Sequence, residues 1–324
     1  MRMIITITSA LALTATFCLA DATVEQKTQF HLSGAAGAIV NVFSRTAREG
    51  ATSTTYIRGN RKLTRTGDSG QIIDLGEEKV YSIDFGRKTY TVKTFAELRK
   101  EYEDAQERAR KSEERSEKNA KEEKKEGPEY EVDFDVKSTG NKETINGFNT
   151  REEIVTVTVH EKNKPIEKSG GWILTSDMWL GPKVAAMREI VDFDRKFAQK
   201  VYGSMMPDAR QIAMAMAATP AFAKAMKTFS EKSGRLEGTA IRTNMKFDTV
   251  AGTDPSTQQK TESEPSSPMG GLLSKMRERR EQKKAEESGQ PNRATMFDST
   301  TELLRATNTA NAEEVAIPAG FRQR

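Results

Sequence analysis

The chain has 324 residues, 30% charged against 35% hydrophobic, with a formal net charge of only +4 because both signs are abundant. That balance does not argue for nucleic acid as a partner, and none is expected. Cys18 is the only cysteine, which excludes a disulfide framework and a cysteine-built metal site. The low apolar share predicts that part of the chain never enters a core.

At the N-terminus, Arg2 and the free amine form a short positive region, and Ile4 to Phe17 carries no charge. Cys18 and Ala20 put small residues where a signal peptidase reads, which predicts a cleavable secretory signal over residues 1–20, cut before Asp21. Thr6, Thr8, Thr14 and Thr16 dilute the run and polar sequence follows at once, whereas a spanning helix needs roughly 20 strongly apolar residues. Within export the alternative is lipid anchoring at Cys18. That pattern expects a small residue just before the cysteine and leucine three before it, where this chain has Phe17 and Ala15. The expected location is periplasmic or extracellular.

Residues 22–94 predict short antiparallel strands. Thr55-Tyr56-Ile57 precedes a Gly59-Asn60 turn, and Gln71 to Leu75 ends at Gly76. In Val80 to Phe85, residues Tyr81, Ile83 and Phe85 share one face while Ser82 and Asp84 share the other. After Gly86, Tyr90 and Val92 share a face. The pattern predicts a sheet with one covered and one wet side.

From Glu97 to Glu126 nearly every residue is charged or a strong helix former. Phe95, Leu98, Tyr102, Ala105 and Ala109 sit at helical spacing, so the first turns are expected to dock. Beyond them, Asp104/Arg108, Glu107/Lys111, Glu114/Lys118 and Glu117/Lys121 are acid-before-base pairs worth about 0.2–0.5 kcal/mol each, enough to hold a solvated arm. Strands resume at Tyr130–Val136, at Glu153–His160 with Val155, Val157 and Val159 on one side, and at Gly170–Leu174.

Pro182 to Tyr202 predicts a helix with Val184, Met187, Ile190, Val191, Phe197 and Val201 inward. A second helix, capped by Asp208, runs through Ile212 and Met216 and restarts at Thr219-Pro220, with Phe222, Ala225, Met226 and Phe229 on one face. Ile241, Thr243, Met245 and Phe247 alternate as a strand. Residues 250–293 form a Ser/Thr/Pro-rich linker with a basic helical run from Lys275 to Lys284, and residues 294–317 are expected to return to the sheet.

Several of these segments resemble a family of exported bacterial proteins whose domain has no assigned function. That family shares the half-barrel architecture of periplasmic lipoprotein carriers. The resemblance rests on Arg58-Gly59-Asn60 through Ile72-Ile73-Asp74-Leu75, Val80 to Asp84, Lys88-Thr89-Tyr90, Ile145-Asn146-Gly147-Phe148, Trp172 to Met178 and Ile317 to Phe321. It implies a curved sheet wrapping helices and, by wider kinship, binding of acyl chains; it implies no catalytic residue.

The expected fold is therefore α+β, a half-barrel over residues 21–249 and 294–324 with helices from 182–232 on its concave face. Two charged, partly helical or disordered inserts leave it at 97–126 and 250–293.

The two histidines, His31 and His160, each lack a second histidine and an acidic partner at ligand spacing, so they predict neither a metal site nor a triad. No nucleophile elbow, phosphate loop or dinucleotide fingerprint is present, so no catalytic, metal or cofactor residues are expected. Methionines and aromatics are dense between Trp172 and Phe229. Ile212, Met216, Phe222, Met226 and Phe229 are the candidate lining of an apolar, lipid-type site. The competing expectation is that these side chains fill the core themselves, each contributing roughly 1.5–3 kcal/mol. A non-enzymatic envelope protein that binds a lipid is the first functional expectation. An envelope interaction or scaffold protein using its charged arms is the second, and membrane contact is expected to be peripheral.

Overall fold

Two antiparallel meanders meet along a seam in the middle of one open sheet. The computed structural model describes residues 21–32, 50–119, 129–203, 231–253 and 293–324. The strands of the first half are β1 (Asp21–Leu32), β2 (Ala51–Arg58), β3 (Arg61–Thr66), β4 (Ser69–Asp74), β5 (Lys79–Asp84) and β6 (Thr89–Thr94). Those of the second are β7 (Tyr130–Ile145), β8 (Phe148–Glu161), β9 (Gly171–Gly181), β10 (Thr239–Val250) and β11 (Arg293–Thr307). A last strand, β12 (Arg322–Gln323), is joined by helices α1 (Phe95–Asn119), α2 (Ile166–Ser169) and α3 (Ala185–Tyr202). The sheet order is β12-β6-β5-β4-β3-β2-β1-β11-β10-β9-β8-β7, antiparallel throughout except where β12 runs parallel to β6. This is the expected α+β class.

Local sequence explains most strands, yet the expected wet side is wrong for β3 to β5. There Leu63, Ile72, Tyr81 and Ile83 are buried on one face, and Lys62, Ile73 and Val80 on the other. The reason is that two different elements cover the sheet. Helix α3 lies on the first core, where Ala22, Val24, Ile57, Phe193 and Val201 meet. The C-terminal tail crosses the opposite face, so Val315, Ile317 and Phe321 pack on Leu63, Ile72 and Tyr81. Residues 294–317 thus return to the sheet only as far as Thr307; the rest is a covering strap that ends in β12.

Helix α3 starts at Ala185, three residues after Pro182. Its inward stripe includes Ala186 and Phe193, while Val191, expected inside, is 62% exposed. Lys62 is buried beneath this helix, paired with Asp194 and 5.5 Å from the Phe193 ring centroid. Helix α1 docks through Phe95 and Leu98 on the first core and Tyr102 against Tyr202 at 5.0 Å. Ala105 and Ala109 are exposed, so docking stops one turn sooner than their spacing suggested. The Glu107–Lys111 pair forms at 2.7 Å.

The second insert is a long connection inside one hairpin, because Val250 of β10 pairs with Arg293 of β11. Its base is pinned twice. Asp248, fully buried, accepts from Arg293 Nε at 2.8 Å and from the Thr295 hydroxyl at 2.7 Å. On the outgoing side, Thr253 donates from N and Oγ1 to Glu167 O at 3.1 Å. A Cβ on Gly252 would sit 2.5 Å from Lys168 O, so only glycine allows the chain to pass α2 this closely.

Candidate functional site

The face of β7–β11 that continues the helix side of the sheet is largely apolar. Val157 pairs with Leu174, Leu174 with Phe247, and Phe247 with Phe297, forming a row across four strands. Phe297 in turn faces Leu32, which alternates along β1 with Val24 of the first core. Trp172 and Met245 border this row and are 40% and 36% exposed; the Trp172 ring lies 5.8 Å from that of Phe247. Helix α3 packs on β1 and β11, so among the described residues the row is only partly covered.

The segments flanking residues 204–230 are fixed at opposite halves of the sheet. Lys200 pairs with Glu78 at 2.8 Å, and Arg99 donates to the carbonyls of Lys200 and Val201. At the other end Lys232 pairs with Asp135 on edge strand β7, and Arg151 donates to the carbonyls of Arg235 and Glu237. The predicted lining residues Ile212, Met216, Phe222, Met226 and Phe229 lie between these anchors, outside the described residues, as do the signal segment with Cys18 and the Lys275–Lys284 run.

The tip of the β7–β8 hairpin reaches back over the sheet. Asn146 Nδ2 donates to Leu303 O at 2.9 Å and Glu302 Oε1 at 2.8 Å on β11, three strands from β8. Arg242 of β10 links the same group, meeting Glu302 at 3.0 Å and Glu143 of β7 at 3.4 Å.

No protein-family model matches the chain, and no curated protein matches it.

Both histidines have acidic partners, contrary to the spacing in sequence, because strand pairing supplies them. His31 Nδ1 lies 3.1 Å from Asp298 of β11, and His160 Nε2 lies 2.9 Å from Asp133 of β7. Burial alone would push the His160 imidazole down; the Asp133 hydrogen bond and charge, with the Glu161 carbonyl on Nδ1, hold it above the ordinary value. Two carboxyls also meet: burial pushes Asp177 up and the neighbouring Glu152 charge adds to it, while Asn244 at 3.2 Å pulls the other way. Asp177 is thus the member that keeps a proton to higher pH. Among the described residues no group of three His, Cys, Asp or Glu is placed to hold a metal, and no helix is long and apolar enough to cross a membrane.

A feature no sequence motif announces lies on the tail-covered face. A cleft of about 310 Å³ opens between β1, β2 and β11 and the tail, walled by Thr23, Glu25, Tyr56, Arg305, Asn311 and Glu314. Strand pairing and the tail join residues some 280 positions apart in sequence to make it.

Proposed function

We propose that this is an exported, non-enzymatic envelope protein that holds an apolar ligand of lipid class between its sheet and helices, on a half-barrel. The observation that carries the proposal is the partly exposed row Val157, Leu174, Phe247 and Phe297 with Trp172 and Met245 beside it. A contiguous apolar surface on a protein rich in charge marks a binding face. The Asn146 contact supports the half-barrel. Flat strands are about 4.8 Å apart, so β8 and β11 would lie about 14 Å apart, beyond the reach of an asparagine.

Native mass spectrometry and lipid extraction of protein purified from the periplasm test it. The expected result is a chain beginning at Asp21 that carries acyl lipid, and Trp172→Ala with Met245→Ala lowering lipid retention more than melting temperature. Protein that emerges ligand-free and takes up no fatty acid from vesicles refutes it. A second function, docking to another envelope protein, is supported by α1, whose side chains from Glu103 to Ser112 are all exposed. Deleting residues 103–126 is expected to abolish capture of that partner with the fold intact.

A further inference from the structure

We infer that the polar cleft on the tail-covered face is a second binding site, for a small zwitterion of amino-acid or dipeptide class. It stands apart from the apolar face and does not depend on the lipid proposal.

Three observations support it. First, the walls are built. Thr23 Oγ1 donates to Thr309 O at 2.6 Å and Arg58 Nη1 to Ala310 O at 2.6 Å, which fastens the tail to β1 and β2. Asn311 and Glu314 close a reciprocal capping box, with Asn311 N donating to Glu314 Oε2 at 2.6 Å. That box ties one oxygen of the Glu314 carboxylate to the Asn311 N–H and fixes the rim.

Second, two opposite charges stand side by side. Glu25 and Arg305 are direct cross-strand partners, the position at which an ion pair normally forms. Glu25 is half-buried and Arg305 exposed, and neither makes an ion pair or side-chain hydrogen bond among the described residues. The ladder shifts register between Glu25 and Gln26, leaving Leu304 next to Arg305 as an extra residue. A bulge of this kind re-aims the side chains beside it.

Third, the surroundings suit a ligand that carries both charges. The guanidinium offers a planar fork of donors for a carboxylate, and Glu25 offers an acceptor for an ammonium. Tyr56, which leans on the second core, provides a fixed aromatic wall, and Thr23 adds a hydroxyl. A single anion would be repelled by Glu25 and Glu314, and a single cation would leave the Arg305 fork unmatched. A neutral polyol would leave both charges unmatched. The volume fits an amino acid or dipeptide and is small for longer peptides.

The test uses the full mature chain and L-alanyl-L-alanine as the probe, followed by amide chemical-shift perturbation and calorimetry. Saturable shifts are expected on Thr23, Glu25, Tyr56, Arg305 and Asn311. Arg305→Gln is expected to weaken binding at least about tenfold, and so is blocking the peptide carboxylate as an amide. Glu25→Gln and N-acetylation of the peptide are expected to act together, each without effect once the other is present. Far-UV dichroism and melting confirm that each variant folds; should Arg305→Gln fail, the two blocked peptides on the unaltered protein decide. No saturable shift at 50 mM peptide overturns the inference. So does equal binding of the amide-blocked peptide, or binding of glucose in place of the zwitterion.

Discussion

Replacing Asp248 by asparagine is expected to loosen the root of the second insert more than any other single polar change in the sheet. The carboxylate is fully buried and holds Arg293 and the Thr295 hydroxyl. Removing one member of a buried charge pair costs about 3–5 kcal/mol. Here the Arg293 side chain keeps a quarter of its surface in water and asparagine still offers Thr295 an acceptor, so about 2–3 kcal/mol is expected. For a domain of this size that is roughly a 5–10 °C fall in melting temperature. Thr295→Val, which removes only one charge-assisted bond, is expected to cost about 1.5 kcal/mol. The pH dependence has a definite sign. Burial would raise the Asp248 carboxyl, but the Thr295 hydroxyl and the Arg293 guanidinium together hold it below the ordinary value. Its stabilisation is therefore complete above the unfolded carboxylate range near ~3.9 and disappears as pH falls through the lower folded value. Urea melts of both proteins from pH 3 to 8, with hydrogen exchange at Val250 and Arg293, read this directly. A difference below about 0.5 kcal/mol at pH 7, or one that grows on acidification, refutes the clamp.

Other outcomes follow from the same packing. Phe193→Ala is expected to cost about 3–5 kcal/mol, and exposed Val191→Ala less than about 0.5 kcal/mol, in parallel chemical melts; equal effects would mean that α3 faces the sheet differently. His160 is expected to titrate above the ordinary histidine value of ~6.5 by NMR, with Asp133→Asn bringing it down. Because its folded value is raised, its contribution is present in full below that ordinary value and lost as pH rises through the folded one, so the Asp133→Asn penalty is expected to shrink on going from pH 5.5 to 9. Replacing residues 254–292 by a short Gly-Ser turn, roughly a sevenfold shortening of the loop, is expected to preserve folding and add about 1–2 kcal/mol through closure entropy.

Period-two alternation made β5 and β8 legible, since Tyr81 with Ile83 and Val155 with Val157 and Val159 mark a face by themselves. What alternation in one strand does not contain is the number of elements that will cover the sheet. Val80 and Ile73 therefore read as incidental until the C-terminal strap is seen on one side and α3 on the other. In α3 the stripe Ala186, Ile190, Phe193, Phe197, Val201 was present in the sequence. Val184, Met187, Ile190, Phe197 and Val201 pack on the core as their spacing suggested; the misplaced residue is Val191, about 100° round the helix from Ile190, and Phe193 was missed. The carboxylate beside each histidine and the Glu25–Arg305 cleft were not legible, because each needs a strand register that joins distant parts of the chain. Both depend on pairing, and pairing is decided by the whole sheet.

The position of β1 has a consequence for how the molecule is made. It is the first described strand in chain order, yet its neighbour across the seam is β11, with Thr28 meeting Thr301 across 273 positions of sequence. Strands β2 to β6 can close on one another through short turns, but β1 cannot find its seam partner before Arg293–Thr307 is made, and a product truncated before Arg293 would present β1 and β10 as two raw strand borders at once. Such a nascent chain stays open along this seam until β11 is in place, and it is vulnerable to self-association for the same length of time.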